Sequence, residues 1–150
     1  MPPTFVFIRH GHRERHSKVL SDHGKATLPA TAQWLQAHAL APDLVLTTKE
    51  LRTHETARLL QAHMGGQAAP SRALDNFFAN ETGLRARIVA ASALQPTGIV
   101  WLVGHGANQR ALQNLFGAKV VIPRDNHAAA IAFQQADGGF NLVAWFAGSP

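Results

Sequence analysis

The sequence predicts an α/β fold, a three-layer sandwich with a mostly parallel central sheet, helices on both faces and an antiparallel edge strand. Short apolar runs that resemble buried strands alternate with segments whose apolar residues recur at helical spacing. Such alternation is typical of parallel strands joined by helical crossovers. The last two apolar runs are separated by the turn sequence Asp137-Gly138-Gly139, which predicts a closing antiparallel hairpin.

The predicted strands are short and rich in aromatic and β-branched residues. They lie at residues 4–8, 43–47, 98–103, 127–134 and 140–146. The predicted helices lie at residues 26–40, 48–64, 83–94 and 107–116. Pro29 would then fall in the first turn of its helix, where proline is tolerated. Residues 9–25 are expected to form a loop, and residues 67–82 an irregular segment.

A capping box is predicted at the start of the second helix. Thr47 would be the N-cap, and Glu50 follows three residues later. The helix would then begin directly after a strand, and its free N–H groups and partial positive charge would suit an anion.

Composition bounds the class of protein. A chain of 150 residues with 46% hydrophobic residues fits one folded domain and argues against disorder. Cysteine is absent, which excludes disulfides and thiolate-bound metals and suits a cytoplasmic protein. Neither a signal-peptide pattern nor an apolar run near the roughly 18 residues of a bilayer span occurs, so no membrane association is expected.

The charge balance indicates anionic partners. There are 14 Lys and Arg residues against 9 Asp and Glu, a net charge of +5. Such a surface favours anionic metabolites or phosphorylated proteins. No block of like charges resembles a nucleic-acid-binding tail, so nucleic acid is not the expected partner.

Three polar segments follow three predicted strands. They are Arg9-His10-Gly11, residues 47–52 and Gly104-His105-Gly106. Because the carboxyl ends of parallel strands form one edge of a sheet, these segments are expected to converge there. The planar guanidinium of Arg52 can bind two oxygens of one anion. Two histidines beside two arginines therefore predict a pocket for a small anion such as phosphate.

These segments resemble the motifs of a known family. Residues 7–11 resemble the Arg-His-Gly motif of the histidine phosphatase superfamily, also called phosphoglycerate mutase-like. Residues 47–57 are similar to its second motif, commonly Ser-Ser-Pro-x-x-Arg-x-x-x-Thr-Ala, with Lys49 in place of the proline. Residues 103–106 are similar to its third motif, and His12 stands where the family often has an acidic residue. The short chain most resembles the compact SixA-like branch.

The resemblance implies a role for each matching residue. His10 would be the nucleophile of a phosphatase and would form a phosphohistidine intermediate, while Arg9, Arg52 and His105 would hold the phosphoryl oxygens. Residues 1–150 would form one such domain, which would require no metal or cofactor. The substrate would be a phosphorylated small molecule or a phosphoprotein. His16, in the loop after the nucleophile, is a further candidate contact to the phosphate.

The position of the general acid departs from the family pattern. The family places this acid in a Leu-x-Glu segment, and the nearest counterpart here is Leu74-Asp75-Asn76, with Asn76 at the acid's position. Asp75 and Glu81 are candidate substitutes. An alkoxide leaving group needs a proton, whereas imidazole can depart neutral from a protonated phosphohistidine. The sequence therefore favours a phosphoramidate, such as protein phosphohistidine, over a simple sugar phosphate.

Other functions are compatible with parts of the sequence. His10, His12 and His16 have a spacing that can chelate zinc, although the intervening arginines would repel a cation. A non-catalytic module that binds phosphate or a phosphoprotein would keep the same pocket. A mutase is less expected, because mutases usually carry longer insertions around the substrate.

Overall fold

The computed structural model describes residues 1–75 and 77–150, and within them six strands form one sheet. The strands are β1 Thr4–Arg9, β2 Leu44–Thr48, β3 Ser71–Leu74, β4 Ile99–Gly104, β5 Ala130–Ala136 and β6 Gly139–Phe146. The helices are α1 Asp22–Ala37, α2 Leu51–Met64, α3 Glu81–Leu94 and α4 Gly106–Phe116, followed by a 3₁₀ turn at Gly117–Lys119. None of the helices in the described residues is long and apolar enough to cross a membrane.

The sheet has the order β3-β2-β4-β1-β5-β6. β3, β2, β4 and β1 are mutually parallel, whereas β5 is antiparallel to both β1 and β6. The mostly parallel sheet with an antiparallel pair at one edge is therefore confirmed. β1 and β4 lie side by side at the centre and run in parallel, so their carboxyl ends are adjacent at one edge of the sheet.

Alternation along β1 separates two hydrophobic cores. Phe5 and Phe7 belong to the cluster that also contains apolar residues of α3 and α4. Val6 and Ile8 belong to the opposite cluster, which contains apolar residues of α1 and α2. Because successive side chains of a strand point to opposite faces, this division confirms the predicted layers with helices on both faces.

One strand was not predicted from the sequence. Residues 67–82 were expected to be irregular, but Ser71–Leu74 form β3, which pairs in parallel with β2 at the edge of the sheet. The strand is only four residues long and mostly exposed, so it carries no apolar alternation that sequence inspection could detect.

The first helix begins earlier than expected. The Ser21 side chain caps it by accepting a 2.9 Å hydrogen bond from the Gly24 N–H, so Pro29 lies in the helix interior and not in the first turn. Gly24 is required by packing, because a β-carbon there would collide with the carbonyl oxygen of His12. The polar start of α1 is thus fixed by the loop that follows β1.

The predicted capping box at α2 is wrong. Thr47 is buried within β2, where it pairs with Ala73 and Val103, and the strand continues through Thr48. The N-cap is instead Glu50, whose side chain makes no capping hydrogen bond. Strand pairing therefore takes precedence over the local capping pattern, although α2 still begins close to the carboxyl end of β2.

Candidate active site

The predicted pocket residues meet at the carboxyl edge of the sheet. Arg9 ends β1, Gly104 ends β4, and the two residues are register partners. The His10 N–H donates a 2.9 Å hydrogen bond to the Gly104 carbonyl, and the His10 and His105 ring centroids lie 5.3 Å apart. The structure therefore places the first and third motifs side by side.

His10 is held in one tautomer by its own loop. Its Nδ1 lies 2.7 Å from the Gly11 carbonyl oxygen. Because a carbonyl can only accept, Nδ1 carries the hydrogen, and the neutral ring keeps a lone pair on Nε2. Burial first, and then the nearby charges of His105, Arg52 and His127, lower the pKa of His10 to about 3, although the Gly11 hydrogen bond acts in the opposite direction. Nε2 is therefore available as a nucleophile at neutral pH.

Arg9 is oriented by backbone carbonyls. Its Nη1 donates to the carbonyl oxygens of Arg124, at 2.9 Å, and Asn126, at 2.8 Å. Its Nε is buried and has no hydrogen-bond partner among the described residues. Burial is the main cause that lowers the Arg9 pKa, followed by the charge of Arg110, while Asp125 opposes both. The side chain combines a fixed position with an unused donor, which suits an anion.

Arg52 adds a second guanidinium. Its Nη1 lies 3.4 Å from Glu50 Oε2, and its Nε is buried without a partner in the described part of the chain. Burial and then the charge of Arg13 lower its pKa, and Glu50 raises it. Its charge also lowers the pKa values of His10 and His105, because it disfavours a second positive charge nearby.

His105 is held by β2 and by its own helix. Its Nε2 lies 2.9 Å from Thr48 Oγ1, which in turn lies 3.1 Å from Thr53 Oγ1. Its backbone N–H donates to Asn108 Oδ1 at 2.8 Å, and the Asn108 amide donates to the Phe78 carbonyl at 2.7 Å. Burial, and then Arg52, lower the pKa of His105. The start of α4 thus fixes this ring beside His10.

A threonine of the second motif connects α2 to the loop that carries His10. The Gly11 N–H donates to Thr56 Oγ1 at 3.0 Å, and the Thr56 hydroxyl donates to the Arg52 carbonyl at 2.7 Å. Thr56 therefore positions the backbone next to His10 with respect to the helix that carries Arg52.

The carboxylates proposed as general acids lie in different places. Asp75 lines a cavity of about 370 Å³ next to His105, where it forms a 2.6 Å ion pair with Lys49. Glu81 begins α3, is paired with Arg85 at 3.2 Å, and lines a different cavity. Asn76, which occupies the acid's position in the motif, lies outside the described residues. Of the two candidates, only Asp75 shares a cavity with a residue of the predicted pocket.

The other histidines of the first motif do not form a metal centre in the described part of the chain. His12 Nδ1 lies 2.7 Å from Ser21 Oγ, and His16 is exposed in a turn with a positive φ of 67°. No group of three or more His, Asp or Glu residues among those described is arranged to hold a metal ion. His16 does not line the cavity that contains His10, so its role as a phosphate contact stays a prediction.

Sequence reasoning missed three residues of the site. Thr48 and Asn108 fix His105 through hydrogen bonds, and His127 places its ring 5.8 Å from that of His10. Thr48 occupies the second serine position of the second motif, which was a usable signal. His127 follows a loop far along the chain and belongs to none of the motifs, so no local pattern indicated it.

Comparison with known proteins gives structural matches only. No protein-family model matches the sequence, and no curated protein matches it. The structure of the protein histidine phosphatase SixA with tungstate matches with a TM-score of 0.73 and 16% identity over 96% of each chain. A protein from Agrobacterium tumefaciens, described as a candidate phosphohistidine phosphatase SixA, matches with a TM-score of 0.71 and 17% identity over 98% of this chain and 99% of that one.

A mycobacterial glucosyl-3-phosphoglycerate phosphatase with VO3 also matches, with a TM-score of 0.65 and 17% identity over 97% of this chain and 99% of that one. The chain therefore has the fold found in structures of the histidine phosphatase superfamily. The chain covers 96% and 99% of the lengths of the two SixA structures. The resemblance predicted from the motifs is confirmed at the level of the fold.

Proposed function

We propose that the protein is a phosphatase that hydrolyses a phosphomonoester or phosphoramidate through a covalent phosphohistidine on His10. The observation that carries the proposal is the state of His10, which is buried, has its Nδ1 hydrogen bonded to Gly11, and keeps Nε2 unprotonated. A neutral imidazole beside two guanidinium groups is suited to attack phosphorus, since the cations neutralise the phosphoryl oxygens.

The reaction would proceed in two displacements. In the first, the Nε2 lone pair forms a bond to phosphorus, and the bond between phosphorus and the leaving group breaks with its electrons on that group. In the second, water attacks phosphorus, the bond to Nε2 breaks, and inorganic phosphate leaves with the proton of the water passed to phosphate or solvent. Arg9 and Arg52 would stabilise the charge in both steps because their buried donors are already in place.

The positive charge that this reaction needs is supplied by side chains. The guanidinium groups of Arg9 and Arg52 lie near His10, so we propose that no metal or cofactor takes part. The absence of cysteine fits an enzyme of the cytoplasm, which forms part of the proposal. Two of the matched structures hold the oxyanions tungstate and VO3, which further supports an oxyanion pocket.

The placement of the carboxylates favours a substrate with a good leaving group. Glu50 and Asp75 line the cavity next to His105, and each is engaged by a cation, Arg52 and Lys49 respectively. An alkoxide would need a donated proton, whereas the imidazole of a protonated phosphohistidine can leave neutral. We therefore propose a phosphoramidate, such as phosphohistidine in a protein, as the preferred substrate class.

The proposal is tested by comparing the wild type with His10→Ala on a phosphohistidine protein, an aryl phosphate and a glycerol-type phosphate ester. We expect His10→Ala to lose at least about 10³-fold in kcat/KM, since the nucleophile is removed. His63→Ala, in the exposed last turn of α2, is the matched control and should retain full activity. Mass spectrometry after a rapid alkaline quench should detect a phosphoryl group on His10.

Five results would contradict parts of the proposal. Full activity in His10→Ala would overturn the mechanism, and phosphate binding without any turnover would favour a non-catalytic binding module. Equal rates on phosphohistidine and on the glycerol-type ester, or loss of most activity in Asp75→Asn or Glu81→Gln, would overturn the assigned leaving group. Loss of activity on treatment with a chelator, restored by a divalent cation, would show that a metal takes part.

A further inference from the structure

A third histidine lies against the nucleophile and is not part of any of the three motifs. The ring centroid of His127 lies 5.8 Å from that of His10, compared with 5.3 Å for His105. His127 also lines the cavity of about 470 Å³ that contains His10 and Arg9, whereas His105 lines the neighbouring cavity. Two imidazole rings therefore flank the nucleophile at similar distances, each facing a different cavity.

The position of His127 is fixed by backbone hydrogen bonds on both sides. Its N–H donates to the Ser149 carbonyl at 2.7 Å, and the Ser149 N–H donates back to the His127 carbonyl at 3.0 Å. The next residue, Ala128, donates its N–H to the His10 carbonyl at 3.2 Å. The loop that carries His127 is thus joined directly to the nucleophile loop and to the segment around Ser149.

The same loop orients the first arginine of the pocket. The carbonyl of Asn126 accepts from Arg9 Nη1 at 2.8 Å, and the Asn126 side chain donates to the Ala147 carbonyl at 2.9 Å. One short segment therefore sets the direction of the Arg9 guanidinium and places the His127 ring beside it. The loop that orients Arg9, a proposed phosphate-binding group, can therefore supply the His127 ring as a second such group.

We propose that His127 is a further phosphoryl-binding residue, which donates a ring N–H to an oxygen of the phosphoryl group at His10 and is the counterpart of His105. The proposal rests on the function proposed above and deepens it. A neutral imidazole offers one N–H donor, and an imidazolium offers two, so either form can bind a phosphoryl oxygen.

The charges around His127 favour its neutral form until an anion binds. Burial, then Arg9 and then His12 lower the pKa of His127 to about 4. A backbone hydrogen bond and the charge of Asp125 raise the pKa of His127 and oppose these effects. The neighbouring ring of His10 is neutral at neutral pH. A dianion placed between His10 and His127 would oppose these cations and favour proton uptake by His127.

The test uses the full chain with ¹⁵N-labelled histidines, titrated with sodium tungstate near neutral pH. We expect the ring nitrogens of His127 to shift on binding toward hydrogen-bonded or protonated values. His127→Phe keeps a ring but removes both nitrogens, and should weaken tungstate binding and lower kcat/KM by about tenfold, the loss of one hydrogen bond to a charged group. His127→Gln keeps an N–H donor and should recover part of the loss, while the control His63→Gln should match the wild type.

The outcomes separate this proposal from the proposed function. If tungstate binds but the His127 ring signals stay unchanged, or if His127→Phe binds tungstate like the wild type, His127 is not a phosphoryl ligand and the chemistry at His10 stands. If tungstate does not bind the wild type at all, the oxyanion pocket and this proposal both fall. Should His127→Phe fail to fold, the ring signals of the wild type decide the question alone.

Discussion

His10 shows how a single hydrogen bond can leave one ring nitrogen free for the nucleophilic role that we propose. The Gly11 carbonyl holds the hydrogen on Nδ1, and burial keeps the second nitrogen free of a proton. His105, with a ring only 5.3 Å away, is instead held through Nε2 by Thr48. His10 and His105 therefore differ in which ring nitrogen is engaged, because Gly11 contacts Nδ1 of one and Thr48 contacts Nε2 of the other.

Thr48 gives a prediction at this scale. Thr48→Val removes the hydroxyl that lies 2.9 Å from His105 Nε2 and 3.1 Å from Thr53 Oγ1, at a site that is buried. We expect kcat/KM to fall about tenfold, because the His105 ring loses the contact that orients it. Steady-state kinetics would measure this change, with Thr48→Ser as the control that keeps the hydroxyl. A valine variant as active as the wild type would show that Thr48 does not position His105.

At the scale of secondary structure elements, the site is assembled from loops and helix starts that follow β1, β2 and β4. The loop after β1 supplies His10, the start of α2 supplies Arg52, and the start of α4 supplies His105. Thr56 and Thr48 connect these pieces through hydrogen bonds. The elements therefore contribute orientation as well as functional groups, since β2 holds the His105 ring through Thr48 and α2 holds the backbone next to His10 through Thr56.

Gly106 gives a prediction at the scale of the helix start. A β-carbon at this position would lie 3.1 Å from Arg9 Nη2 and 3.2 Å from Arg9 Cζ. We expect Gly106→Ala to displace the Arg9 guanidinium and to lower kcat/KM and tungstate affinity by about tenfold. The free energy of unfolding should change by less than about 1 kcal/mol, because alanine suits a helix better than glycine.

Gly139→Ala is the matched control, since no atom lies within 4 Å of a β-carbon placed there. Activity and tungstate binding should be measured for both variants, together with urea unfolding. A Gly106→Ala variant that binds tungstate as tightly as the wild type would contradict the close approach of α4 to Arg9.

At the scale of the whole molecule, the buried histidines link stability to pH. The folded chain keeps His10 neutral down to about pH 3 and His127 down to about pH 4, whereas in the unfolded chain each takes up a proton near the ordinary value of 6.5. Below 6.5 the unfolded state therefore binds more protons, so the free energy of unfolding should fall as the pH is lowered from about 6.5 toward 3. His10 alone can lower the free energy of unfolding by up to about 1.4 kcal/mol for each pH unit in this range.

Urea unfolding at several pH values between about 7 and 5 would measure this dependence. His10→Asn should show a shallower decrease than the wild type, because one of the groups responsible has been removed. His63→Asn, a substitution at an exposed position, serves as the control. Equal slopes for wild type and His10→Asn would show that burial of His10 does not disfavour its charged form.

The accuracy of the sequence-based predictions follows from how local each signal is. The buried strands and the amphipathic helices were predicted to within a few residues, because their apolar periodicity is contained in the segments themselves. β3 was missed because an exposed edge strand of four residues is defined by pairing with β2. The capping pattern at Thr47 was misleading because pairing with β4 extends β2 through that residue.

The sequence by itself determined the α/β layers and the convergence of Arg9, His10 and His105. Parallel strands force their carboxyl ends to one edge of the sheet, so the residues that follow them must meet there. Only the tertiary structure decided which nitrogen of His10 is free, which atoms hold Arg9 and His105, and that His127 joins them. These features depend on contacts between residues distant in sequence, which no local pattern can specify.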